Sequence, residues 1–146
     1  MKKRNYILAS HGTMAKGIYD AMEIIVGEPE NVTCYGAYID GEDTDVEKDV
    51  EELLATYSED EEIIVLTDLY GGSVNTKFVH HLGRKNYHLI AGMNLAMVLF
   101  LLESDEENTE ELLKTAVIQA GKSVRYCNQS IQKLAEEDDF KISREE

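Results

Sequence analysis

The chain has 146 residues, 43% hydrophobic and 29% charged, a composition that fits one soluble globular domain with its own core. Its 14 basic residues against 29 acidic ones leave a net charge of −15, which disfavours nucleic acid and anionic membrane surfaces and favours a basic protein partner. No apolar run approaches the ~20 residues that span a bilayer, and "MKKRNYILAS" lacks an apolar segment of signal-peptide length, so a cytoplasmic location is expected.

Residues 5–10 read as a first strand, short and apolar. Met14, Ile18, Met22, Ile25 and Val26 follow at helical spacing, with Thr13 as expected N-cap and Gly27 as C-cap. Residues 32–39 are β-branched, aromatic or small and read as a second strand. Val46, Val50, Leu53, Leu54 and Tyr57 line one face of a second helix whose other face is acidic. The run "EIIVLT", residues 62–67, has the continuous apolarity of a strand buried on both faces of a parallel sheet. A short helix is expected over 76–84, a fourth strand over 87–91 and an apolar helix over 95–103. From Glu106 the helical period holds through Leu134, and "EEDDFKISREE" reads as a frayed polar tail. Cys34 and Cys127 form no CxxC pair, so no zinc site or disulfide framework is indicated and both read as small core or boundary residues. Neither a metal nor a cofactor is expected.

Strands alternating with helices indicate an α/β fold: a single doubly wound open sheet, mostly parallel, with strand order 2-1-3-4. An extra antiparallel strand is compatible with the pattern. That order reverses direction between strands 1 and 3, and ligands of such sheets bind outside the carboxyl ends at the reversal. His11 follows strand 1 there and Asp68 follows strand 3, so both face one crevice. A carboxylate holding one ring nitrogen fixes the imidazole tautomer and frees the other nitrogen to act as base or nucleophile. Gly71, Gly72 and Ser73, with Asn75 at a helix start, form a turn whose N–H groups and hydroxyl suit an anion. A second turn, Gly92-Met93-Asn94, is placed to wall the same crevice. Taken singly, the histidine also fits a cap or a packed residue, the aspartate an N-cap, and the glycine pair a plain turn. His80 and His81 are adjacent on a helix and diverge, and His88 lies within a strand, so these three read as structural.

The stretches "ILASHGTMAKG", "VLTDLYGGSVN" and "IAGMNLAMVL", in this order and spacing, resemble the enzyme IIA component of the mannose-type phosphoenolpyruvate-dependent sugar phosphotransferase system. The likeness spans about the first 120 residues. It implies a phosphocarrier domain over residues 1–135, with residues 136–146 as the polar tail. It further implies that His11 accepts a phosphoryl group from the phosphocarrier protein HPr and passes it to an enzyme IIB, which serves a membrane permease taking up sugar. His11 would be the phosphorylated nucleophile and Asp68 its orienting partner, with Gly12, Gly71, Gly72 and Ser73 around the phosphoryl oxygens. The resemblance also implies a homodimer in which a C-terminal segment of one subunit completes its partner's sheet. Two prolines usual in that pattern are replaced here, by Val74 after Gly-Gly-Ser and by Ala96 after Asn-Leu, which leaves both turns less pre-set.

Three other readings compete. A histidine phosphatase also places His-Gly after strand 1, but needs arginines beside it to clamp a phosphate, and Arg4, Arg84, Arg125 and Arg144 all lie outside the motif turns. A tetrapyrrole metal chelatase would need a second ligand converging on His11, and His80, His81 and His88 are at no strand's carboxyl end. A regulatory module of the same fold, sensing phosphorylation rather than relaying it, is left open by the missing prolines.

Overall fold

In the computed structural model, which describes residues 3–41 and 44–145, the order of elements is the expected alternation. Strands β1 (Arg4–His11), β2 (Val32–Ala37), β3 (Glu62–Thr67) and β4 (Tyr87–Ala91) form one open sheet in the order β2-β1-β3-β4. All three pairings are parallel: His11 lies beside Ala37 and Ala9 beside Thr67. The sheet among the described residues has four strands, and the antiparallel fifth that the pattern allowed is not among them.

Successive side chains of a strand face opposite ways, and the core divides accordingly. Tyr6 and Leu8 of β1, with Ile64 and Leu66 of β3, pack under helices α1 (Met14–Val26), α4 (Leu95–Glu103) and α5 (Thr109–Ser123). Ile7 and Ala9, with Ile63 and Val65, pack on the other face under α2 (Val46–Ala55) and α3 (Ser73–Val79). Every residue of β3 is buried, as its unbroken apolarity predicts for a strand covered on both sides.

Local chemistry sets the helix limits. Asp45 caps α2 through Lys48 N–H, Asn94 caps α4 through Met97 N–H and Asn108 caps α5 through Glu111 N–H. Gly27 ends α1 as expected, at φ +88°. Thr13 stands at the N-cap of α1 but makes no side-chain cap bond; instead Ser10 Oγ, from the strand before, accepts Ala15 N–H at 2.8 Å. α3 begins and ends earlier than expected, running Ser73–Val79 rather than 76–84. Arg84 is thereby freed to reach the carbonyls of Leu54 and Tyr57, each at 2.8 Å.

The long C-terminal helical pattern is two helices, not one. α5 stops at Ser123, whose hydroxyl donates to Ala120 O, while Arg125 Nε donates to Lys122 O, satisfying carbonyls at the helix end. After residues 124–126, α6 (Cys127–Glu145) runs through the segment expected to be a frayed tail. Of residues 127–137 all but Ser130 are exposed, Cys127 included, so that cysteine is neither the core nor the boundary residue expected. No helix among the described residues is long and apolar enough to cross a membrane.

Candidate functional site

β1 delivers His11 and β3 delivers Asp68 to the same end of the sheet, at the point where strand order reverses. Oδ2 of Asp68 accepts the His11 main-chain N–H at 2.7 Å and lies 2.7 Å from ring Nδ1. Oδ1 accepts the Leu69 N–H at 2.8 Å, so both carboxylate oxygens are engaged. Burial alone would raise the Asp68 carboxyl, but the hydrogen bonds from His11 and Leu69 outweigh it and hold it below its ordinary value. An ionised Asp68 only accepts, so Nδ1 carries the ring proton and Nε2 of the neutral ring is left with its lone pair. The His11 side chain is 46% exposed and that of Asp68 only 10%. The base is thus held from inside, and its free nitrogen meets the surface.

Ser73, first residue of α3, places Oγ 3.2 Å from Nε2. Its turn is fixed from beneath by Asn75, which is buried. Asn75 Oδ1 accepts Gly71 N–H at 3.0 Å and its Nδ2 donates to Thr67 Oγ1 at 2.9 Å. Gly71 takes φ +78° and Gly12 φ +56°, a region where a side chain would be strained. The amides of the glycines are engaged within the protein: Gly12 N–H donates to Ala37 O, Gly71 N–H to Asn75 and Gly72 N–H to Leu69 O. The donor presented directly at Nε2 is therefore the Ser73 hydroxyl.

His11, Asp68 and Ser73, singled out in the sequence, are brought together. The turn after β4 serves the fold instead. Met93 N–H donates to Thr67 O at 2.9 Å, and Asn94 caps α4. His88 lies within β4 beside Ile64, and His80 and His81 follow the end of α3. Arg4, Arg84 and Arg125 hydrogen-bond to main-chain carbonyls away from His11. Val74, in place of the usual proline, is fully buried against the α2–α3 side of the core, which fixes the start of α3 by packing.

Tyr38 joins the site without being singled out by the sequence. The strand pattern runs through residue 38, but β2 ends at Ala37 and Tyr38 turns out of it at φ +64°. Its hydroxyl donates to Ser73 Oγ at 2.8 Å, and its ring lies 5.5 Å from the His11 ring, tilted by 34°. The available signal was an aromatic at the carboxyl end of strand 2, next to strand 1 in the expected order.

A family model described as the PTS system fructose IIA component matches residues 5–117. The chain belongs to this family. Among solved structures it is similar to a protein assigned to a phosphoenolpyruvate-dependent sugar phosphotransferase system (PTS) permease from Klebsiella pneumoniae subsp. pneumoniae MGH 78578. The two are 41% identical over 89% of this chain and 95% of that one, with a TM-score of 0.85. It is also similar to the mannose/sorbose-specific IIA subunit of Enterococcus faecalis, at 28% identity over 86% and 94% of the two chains and TM-score 0.72. A PTS IIA protein associated with the fucose utilization operon of Streptococcus pneumoniae matches at 26% identity, over 89% and 97%, with TM-score 0.74. The family makes this PTS IIA chain a phosphotransfer component of a sugar phosphotransferase system.

Proposed function

We propose that this PTS IIA chain is a phosphohistidine relay, with His11 accepting a phosphoryl group from HPr and giving it to an enzyme IIB during sugar uptake through a membrane permease. One observation carries the reading: Nδ1 is tied to Asp68 at 2.7 Å while Nε2, on a half-exposed ring, meets only the hydroxyl of Ser73 at 3.2 Å. In the forward step the Nε2 lone pair attacks phosphorus, and the bond from phosphorus to the donor's nitrogen breaks, returning its electron pair to the donor. The proton stays on Nδ1. The phosphorylated ring then carries positive charge, which the ionised Asp68 balances, and Ser73 turns its O–H to a phosphoryl oxygen. The reverse of these movements releases the group to the next protein. Gly12 and Gly71 have open space where a side chain would stand, and a side chain at Gly72 would press on Leu69, so the three glycines keep the turns beside the phosphoryl group small.

The surroundings suit a macromolecular donor and acceptor. Met14, Tyr38, Ile39, Leu69 and Tyr70 are exposed on the segments that carry or flank the site, giving an apolar rim around a reactive atom that is not sunk in a cavity. A net charge of −15 favours basic partners and steers their approach. The relay acts in the cytoplasm as a homodimer, without cofactor, and sugar selection lies with the membrane components. Incubation with phosphoenolpyruvate, enzyme I and HPr, followed by intact mass measurement and acid treatment, tests the reading. An acid-labile phosphoryl adduct is expected, absent in His11→Ala. No adduct, or one that survives that substitution, ends it.

A further inference from the structure

The outlier that the relay does not yet use is Tyr38, a non-glycine residue at φ +64° in contact with two residues of the site. An aromatic side chain in the left-handed region costs on the order of 1–3 kcal/mol, and such strain persists where the surroundings hold it. Two interactions are visible at this position: the hydroxyl on Ser73 and the ring beside His11.

The proton directions along this line are fixed by its far end. In the neutral ring Nδ1 donates to Asp68 and Nε2 can only accept, so Ser73 spends its single proton on Nε2. The Ser73 oxygen then has lone pairs only for Tyr38, which must donate, as its 2.8 Å geometry has it doing. The chain runs Tyr38 O–H to Ser73 O–H to Nε2, each bond polarising the next. A serine hydroxyl without such a partner rotates among its staggered positions.

We propose that Tyr38 is a positioning residue of this site: by donating to Ser73 Oγ it aims the one serine proton at Nε2 in the resting protein and at a phosphoryl oxygen once the group has arrived. The second half rests on the relay reading of His11; the first does not. Tyr38 keeps donating in both states, so only the serine proton swings, and the loaded and unloaded sites differ by one rotor.

Tyr38→Phe keeps the ring beside His11 and removes only the hydroxyl. In the unphosphorylated protein, the ¹⁵N resonance of Nε2 should move toward its position in Ser73→Ala, with Nδ1 little changed. Adding Tyr38→Phe to Ser73→Ala should move it no further. An Nε2 resonance in Tyr38→Phe that coincides with the unmodified protein overturns the proposal, and this measurement needs no phosphoryl donor. With phosphorylated HPr, Tyr38→Phe should accept phosphoryl about 3- to 10-fold more slowly, the loss of roughly one hydrogen bond. The same change in a Ser73→Ala background should cost nothing more. Independent, multiplying effects of the two substitutions would show that Tyr38 does not act through Ser73. Failure of His11 to take up phosphoryl in the unmodified protein defeats the relay, while the nitrogen resonances still decide the resting role of Tyr38.

Discussion

One carboxylate oxygen, Oδ2 of Asp68, takes both the main-chain N–H and the ring Nδ1 of His11, at 2.7 Å each. An amide in its place has one accepting oxygen and can turn its NH₂ toward the ring, which would favour the wrong tautomer. Asp68→Asn should therefore slow phosphoryl uptake by at least roughly tenfold, as amidating a histidine's orienting carboxylate does elsewhere, with the fold retained. Stopped transfer from phosphorylated HPr measures it, and an unchanged rate would remove Asp68 from the mechanism. The same bonds link stability to acidity. Because the folded carboxyl lies below its ordinary value of 3.8, its contribution is whole above that pH and is lost as pH falls through the folded value. Thermal unfolding of the two proteins should show the advantage over Asp68→Asn constant near neutrality and closing only in that acid window. An advantage that disappears between pH 5 and 7 would assign it to another group.

Elements bring these residues together by close backbone approach, and Gly36 of β2 is where the approach is tightest. A Cβ built there falls onto the Gly12 carbonyl oxygen and the Ile39 side chain. The side chain can move, but the carbonyl belongs to the His-Gly turn, whose Gly12 N–H is bonded to Ala37 O at 2.7 Å. Gly36→Ala should destabilise the protein by about 1–3 kcal/mol and slow phosphoryl uptake, read by urea unfolding and transfer rate; full activity would show that the turn has slack. This scale also shows what the sequence made legible. β3 and the strand order were readable because burial on both faces leaves a continuous apolar run and alternation with helices restricts the connections. His11, Asp68 and Ser73 were readable because strand ends at the order reversal converge wherever the chain wanders between them. Tyr38 was not, since a left-handed turn at a tyrosine leaves no composition signal and strand alternation simply ran on through it. The break between α5 and α6 was hidden for a related reason: Val124 and Cys127 fit the helical period, while Arg125 and Ser123 stop α5 through side-chain bonds to its carbonyls.

Across the whole molecule, the buried core and the candidate site of the described residues lie within residues 4–123, and residues 127–137 of α6 are mostly exposed. Ile131 and Leu134 are more than half exposed, as are Val124 and Tyr126 leading into the helix. Stability follows buried apolar area, so a chain ending after residue 126 should fold, keep its thermal midpoint within about 4 °C and retain phosphoryl uptake at His11. Differential scanning calorimetry and the HPr assay check this; a collapse of either would show that α6 completes the subunit.

The double hold of Asp68 on His11 has a regiochemical consequence. A free imidazole can be phosphorylated at either nitrogen, giving two isomers. Here a ring flip would put Cδ2 where Nδ1 stands and break the ring's bond to Oδ2 without releasing the main-chain N–H, so the carboxylate remains in place to select the orientation that turns Nε2 outward. In a relay, the chain would make a single isomer, the one phosphorylated on Nε2, and would present its N–P bond along one fixed direction from the sheet. Each partner must then meet that bond in line from the same side, so donor and acceptor take turns on one face and cannot bind it together.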